Sequence, residues 1–271
     1  MDLDAYLARI GFDGAREPTL GTLRALHLAH PQRIAFENLD PLLGSPVRLD
    51  LGSVETKLVR EGRGGYCYEH NTLFAAALRA IGFAVTTLAA RVLWNQGEDA
   101  DSPRTHMLLR VDLADGVWLA DVGFGALTWT APLRLAPGLV QETPHGVFRI
   151  GETAEGFIAH GLVAGEWRPM HRFDLARQLP ADYEIASWYL STHPASPFRR
   201  SLIASRPTPE GRCNLLDNRL TLHRADGATE RRFLATPIAL RASLERDLAI
   251  RLPEDSGLDA LLARLAAFPE A

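Results

Sequence analysis

The apolar pattern of this chain changes period at Gly82, and that change limits the folds open to it. Before Gly82, residues 4–10, 19–29 and 53–61 carry apolar side chains at helical intervals, with Ser, Thr or Asp near their starts. Residues 67–81 read as the strongest helix, with Leu73, Phe74, Ala77, Leu78 and Ile81 on one stripe and Gly82 as the stop. After Gly82, residues 85–92, 106–113, 117–122, 148–150, 157–163 and 167–173 are rich in β-formers and separated by Gly, Pro and Asp, which predicts a small antiparallel β unit. Residues 181–192 return to a helical pattern, which Pro194 and Pro197 end. Short strands at 220–223 and 231–234 and helices at 238–245 and 258–268 complete the reading. Helices and antiparallel strands that segregate along the chain predict an α+β fold.

Composition narrows the function. The chain has 271 residues, 46% hydrophobic and 23% charged, enough for one or two sizeable cores. A net charge of -4 and the lack of a long basic run argue against nucleic acid as the main partner. No run of about 18 apolar residues is present to cross a membrane, and the acidic Met1-Asp2-Leu3-Asp4 start lacks a signal-peptide pattern. Two cysteines, Cys67 and Cys213, supply neither a disulfide framework nor zinc-ligand spacing, so a reduced, cytoplasmic setting and no metal are expected. Cys213 reads as an inert thiol. Arginine outnumbers lysine so heavily, with Lys57 alone, that usage bias is the natural explanation.

The chemistry centres on Arg63-Gly64-Gly65-Tyr66-Cys67-Tyr68-Glu69. A glycine turn delivers Cys67 to the head of the best helix. A helix N-terminus carries about half a positive charge, and with a nearby imidazolium it can lower a thiol pKa by several units. A thiolate nucleophile needs a base, and the base needs an orienting group. His70, three residues on, could share a helix face with Cys67. The alternative is His106 with Asp121, on successive strands. With a four-residue loop at 113–116, Asp112 pairs with Val117. Asp121 then opposes Leu108 and is a diagonal neighbour of His106 on the same face, roughly 7–8 Å away. Any even-numbered loop preserves this arrangement, and an odd one breaks it. Asp121 shares its face with Val117 and Leu119, where an unpartnered carboxylate would be costly. Gly123-Phe124-Gly125 follows at once, and its glycines are expected to leave backbone N–H groups free for an anion. Phe36 and Phe124 are candidate walls for an aromatic ligand. Thr105 and Leu93 are further candidates for the pocket, and Arg63 with Glu37 and Asn38 reads as a network that holds the cysteine loop.

These segments together resemble the arylamine N-acetyltransferases. Arg63 to Glu69 is similar to that family's active-site signature, and Ala35-Phe36-Glu37-Asn38-Leu39 to its upstream box. Thr105-His106 and Asp121 to Gly125 resemble its second and third catalytic segments; Ser187 to Pro194 and Asn218-Arg219-Leu220 resemble its later part. The resemblance implies a papain- or transglutaminase-like cysteine core with three domains: a helical one (1–83), an antiparallel β-barrel (84–190) and, after a linker (191–210), an α/β lid (211–271). It implies Cys67 as nucleophile, His106 as general base and acid and Asp121 as orienter, and leaves His70 as a structural residue. Acetyl-CoA would be the co-substrate, contacted by Thr105, Gly123, Phe124 and Gly125. The acceptor would be an aromatic amine or hydrazine against Phe36 and Phe124, in xenobiotic metabolism. Monomer and homodimer both remain open. Where this chain has Ala126 the family often has a second consecutive glycine, which puts that cofactor contact in doubt. A peptide hydrolase, an amide-forming relative with a larger acyl donor and a non-catalytic binding protein are the alternatives.

Overall fold

The computed structural model describes residues 1–269. Helices α1 (Leu3–Ile10) and α2 (Leu20–Arg33) lead to a two-residue strand, β1 (Phe36–Glu37). Helices α3 (Leu39–Leu43) and α4 (Leu51–Glu55) follow, the latter continued by a wider turn at Thr56–Arg60. Next comes α5 (Cys67–Ile81). Strands β2 (Ala84–Val92), β3 (Arg104–Leu113), β4 (Gly116–Ala120), β5 (Leu133–Arg134), β6 (Val140–Thr143), β7 (Gly146–Thr153), β8 (Gly156–Val163) and β9 (Glu166–Phe173) form one antiparallel sheet, ordered β5-β4-β3-β2-β9-β8-β7-β6. After α6 (Pro180–Thr192), strands β10 (Ile203–Thr208), β11 (Gly211–Leu216), β12 (Arg219–Arg224) and β13 (Thr229–Phe233) join β1 in a five-stranded sheet. Helices α7 (Pro237–Ala242) and α8 (Leu258–Ala266) close the described chain.

The eight-stranded sheet is a nearly closed barrel. Its edges, β5 and β6, are joined by a side chain: the Gln141 amide accepts from the Arg134 N–H (2.7 Å) and donates to the Arg134 carbonyl (3.0 Å). Leu88, Leu108, Leu119, Trp129, Phe148 and Met170 belong to the apolar cluster of the barrel. The alternate residues of β3 and β4, Met107, Leu109, Val111 and Trp118, pack with Leu73, Phe74, Ala77 and Leu78 of α5. At about 1.5–3 kcal/mol for each large side chain fully buried, that seam anchors the helix that carries Cys67. A third cluster joins Leu202, Ala204, Cys213, Leu215 and Leu220 to Leu240, Leu258, Leu261, Leu262 and Leu265, so Cys213 is buried and the C-terminal leucines serve packing.

The predicted helices and barrel strands are present to within a few residues at their ends, with two differences in kind. The 53–61 helix widens after Glu55, and the 238–245 helix does so after Ala242. The stretch 191–210, expected as a linker, contains β10, which pairs with both β1 and β11. Ala204, Ser205 and Pro207 lack the β-branched alternation that marks a strand, and Pro207 cannot donate to a ladder. We propose that the third structural unit begins at β10 and borrows β1 from the first.

Candidate active site

Cys67 opens α5. The loop before it is pinned from both sides, since Gly65 donates to the Ala35 carbonyl (3.3 Å) and accepts from the Glu37 N–H (2.8 Å). Gly64 is required by close approach, because a Cβ there would lie 2.3 Å from the Ala35 carbonyl oxygen. Glu69 accepts from the Tyr66 N–H at the helix start (3.0 Å), which satisfies one of the unpaired amides of a helix N-terminus. Cys67 Sγ lies 3.7 Å from the Thr105 carbonyl oxygen.

Strand parity brings the other two groups to the same point. Asp112 pairs with Val117 as expected, and the ladder adds Leu113 with Gly116, so the turn has two residues and the even count holds. His106 Nε2 donates to Asp121 Oδ2 at 2.6 Å, and both residues are buried. The other ring nitrogen of His106 is not used by Asp121, and Cys67 stands close enough to act on the ring. Burial alone would push the His106 pKa down; the Asp121 carboxylate outweighs it, and Cys67 adds to the effect, so the pKa is raised to about 10. Burial alone would push Asp121 up, but His106 reverses this and holds it at about 2. The resting pair is therefore imidazolium and carboxylate.

Several residues that hold Asp121 were not singled out from the sequence. Asn71, one turn beyond Cys67, donates to Asp121 Oδ1 (3.0 Å) and the Met107 carbonyl (2.7 Å) and accepts from the Val122 N–H (3.2 Å). His27 accepts from the Asp121 N–H (3.0 Å). His171 of β9 lies with its ring 5.2 Å from those of His106 and Phe124, and neither ring nitrogen has a partner among the described residues. Burial, then the charge on His106, lowers the His171 pKa to about 3. His106, Asp121 and His171 offer ligand atoms within 4.8 Å of one another. A metal there would have to break the 2.6 Å His106–Asp121 bond, so the arrangement fits a catalytic pair better than a metal centre.

His70 spends both ring nitrogens on partners other than Cys67. A carbonyl can only accept, so His70 Nε2 must donate to Ala35 (3.1 Å). Its neutral ring then accepts from His30 Nε2 (2.9 Å), and His30 Nδ1 accepts from the Tyr6 hydroxyl (2.9 Å). Burial keeps His70 near a pKa of about 4 and His30 well below its ordinary value.

Cys67 and His106 line a cleft of about 760 Å³ between the barrel and the five-stranded sheet. Phe36, Thr105, Gly123, Phe124 and Gly125 all line it, as does Ala126. Leu93, a pocket candidate from the sequence, is fully buried instead; its neighbours Val92 and Trp94 face the cleft. The glycine amides also depart from expectation. Gly123 donates to Asp121 Oδ1 (3.0 Å) and Gly125 to Thr128 Oγ1 (2.7 Å), so both N–H groups are already used within the fold. Gly123 is needed for another reason: a Cβ there would stand 2.9 Å from Cys67 Cα. Arg219 and Arg231 of the five-stranded sheet add positive charge to the cleft, beside His223, whose pKa burial lowers; of the three, only Arg219 lies in a segment that the sequence singled out.

The chain matches known proteins along nearly its whole length. A family model described as N-acetyltransferase covers residues 19–256. The arylamine N-acetyltransferase of Mycolicibacterium smegmatis is 44% identical over 271 residues, 98% of each chain. The solved arylamine N-acetyltransferase of Mycobacterium marinum superposes with a TM-score of 0.94 at 40% identity, over 98% of this chain and 100% of that one. The same enzyme in complex with CoA gives a TM-score of 0.93 at 39% identity, over 97% and 99% of the two chains.

Proposed function

The chain belongs to the arylamine N-acetyltransferase family and is an acyltransferase, and from that premise we propose that it carries an acetyl group from acetyl-CoA to the nitrogen of an aromatic amine or hydrazine through a thioester on Cys67. The observation that carries this reading is the grouping at the cleft: Cys67 at a helix start, with His106 beside it in the same cleft and itself bound at 2.6 Å to buried Asp121. The CoA complex of the M. marinum relative supports acetyl-CoA as co-substrate.

In the first half-reaction the Cys67 thiolate attacks the thioester carbonyl carbon. A C–S bond forms, and the carbonyl oxygen takes the negative charge. The backbone N–H of Cys67, in the first helical turn, is the candidate donor to that oxyanion. The intermediate collapses, coenzyme A leaves as a thiolate, and the His106 imidazolium protonates it. In the second half-reaction the amine nitrogen attacks acetyl-Cys67, neutral His106 takes a nitrogen proton, and Cys67 leaves as thiolate to restore the ion pair. Asp121 fixes the ring and stabilises its charged form without gaining the proton. Phe36 and Phe124 present ring faces and edges to an aromatic acceptor, and Arg219 and Arg231 offer charge for the phosphates of the donor.

The test is intact-mass measurement of the protein mixed with acetyl-CoA and no acceptor. The expected result is one added acetyl group, absent in Cys67→Ala and discharged by an aromatic amine. A reactive thiol that acetyl-CoA does not load would overturn the reading in favour of another donor or a hydrolase.

A further inference from the structure

Lys57 is the one lysine among 29 Lys and Arg residues, and it is buried directly behind the nucleophile loop. Its ammonium lies 2.7 Å from Asp40 Oδ2 and 2.7 Å from Glu69 Oε1, with the three side chains 11%, 9% and 2% exposed. Each carboxylate is tied onward. Glu69 uses its other oxygen to hold the Tyr66 N–H, one residue before Cys67. Asp40 uses its other oxygen to bind Arg63, and Arg63 approaches Glu37 at 3.7 Å. Glu37 in turn accepts from the Leu39 N–H (2.6 Å), while its own N–H donates to Gly65 (2.8 Å). Three carboxylates and two cations thus surround the loop, an excess of one negative charge behind a group that must itself become negative. Burial disfavours the Lys57 charge, but Glu69, Glu37 and Asp40 outweigh it, so the ammonium stays protonated.

The geometry also accounts for lysine in a chain that otherwise uses arginine. One compact ammonium touches two carboxylate oxygens from separate segments. A guanidinium spreads its donors over a rigid planar fork and needs more room. Usage bias therefore explains the arginines, and the site explains the exception.

We infer that Lys57 is a positioning residue for Cys67: its ammonium clamps Glu69, and through it the N-cap of α5, and cancels carboxylate charge that would oppose formation of the thiolate. The inference rests on Cys67 being the nucleophile. The other titratable groups that face Cys67 are His106 with Asp121, and the tyrosines Tyr66, Tyr68 and Tyr183, all of which the test leaves in place.

The experiment is the pH dependence of Cys67 alkylation by iodoacetamide, followed by intact mass and peptide mapping, with thermal melting to show that each variant is folded. The variants are Lys57→Met, Lys57→Arg, Glu69→Gln and the double variant Lys57→Met/Glu69→Gln. A charge roughly 10 Å from a thiol and screened as in a protein interior moves its midpoint by about one pH unit. Lys57→Met should move it up by about that much and Glu69→Gln should move it down. The double variant, which restores the wild-type excess of one negative charge, should return near the wild type. Lys57→Arg should keep the midpoint but slow alkylation several-fold, because the fork displaces Glu69. A purely structural lysine would lower the melting temperature and leave every midpoint in place, and that result overturns the inference. If Lys57→Met does not fold, the opposite shift in Glu69→Gln and the return in the double variant still decide it. Midpoints that move as expected in a protein that acetyl-CoA never loads would overturn the proposed acetyl transfer and leave the role of Lys57 standing.

Discussion

Asn71→Ala tests how firmly the orienting carboxylate is held. The amide of Asn71 donates to Asp121 Oδ1 at 3.0 Å and accepts from the Val122 N–H at 3.2 Å. Truncation removes a hydrogen bond to a charged group, worth about 1.5–3 kcal/mol, and leaves a buried N–H unpaired, at about 1–3 kcal/mol more. The expected loss is about 2.5–6 kcal/mol, before the Met107 carbonyl is considered. For a chain of this size that lowers the melting temperature by roughly 5–20 °C. Asp121 keeps His106 on its other oxygen and Gly123 on the same one. The triad should therefore survive in loosened form, with acetyl loading of Cys67 slowed by about 10- to 100-fold. Urea denaturation and stopped-flow loading monitored by mass are the assays. A stability loss below about 1 kcal/mol would refute the argument, because it would mean that water had taken over the contacts of the amide.

Gly64→Ala places a Cβ 2.3 Å from the Ala35 carbonyl oxygen and should cost at least about 100-fold in loading rate, whereas Gly21→Ala, with only Thr19 Oγ1 at 3.8 Å, should leave the rate alone and raise stability by about 0.5–1 kcal/mol; equal effects at the two sites would dismiss the steric reading. Asp121→Asn should lower turnover by about 10⁴-fold with the fold retained, since the amide no longer favours the imidazolium; near-normal turnover would show that Asp121 does not orient His106. The His106 pKa is raised in the folded state to about 10, so its contribution to stability is complete below about 6.5 and is lost as pH rises through about 10. The stability gap between wild type and His106→Gln should accordingly narrow from pH 6 to pH 10, and a gap that stays constant would contradict the pairing. Initial rates at varied acetyl-CoA and amine should give parallel double-reciprocal lines, and intersecting lines would rule out the covalent order.

What the sequence revealed about the site follows from how local each signal is. Cys67 announces itself through a glycine turn joined to a helix. His106 and Asp121 could be matched because the period of a strand is two and the intervening turn is short and even. Asn71 stands four residues from Cys67, yet its role exists only because α5 packs against β3 and the start of the Asp121 loop. His171 reaches the triad because β9 is a neighbour of β2, a pairing that nothing near His171 encodes. Lys57 was dismissed for a sound statistical reason, and only its surroundings reverse that judgement. The glycines of 123–125 were recognised as necessary but for the wrong cause: their amides are spent inside the fold, and what matters at Gly123 is room beside Cys67. The strand at 203–208 was missed because Ser, Arg and Pro obscure its alternation, and its main partners lie in distant or equally plain segments.

The file of hydrogen bonds from Tyr6 through His30 and His70 to the Ala35 carbonyl has one direction, since its last acceptor can accept only. Each imidazole in it has one proton and one lone pair, both engaged, so a second proton could enter only by breaking the file at an accepting Nδ1, between Tyr6 and His30 or between His30 and His70. With His27 held near a pKa of about 4 and His171 near 3, the histidines packed around the triad are electrically silent from mildly acidic to alkaline solution. Between about pH 5 and 8, therefore, a titration of this enzyme's rate carries no background from that crowd of imidazoles, and His27, His30, His70 and His171 act as a fixed neutral wall around the site.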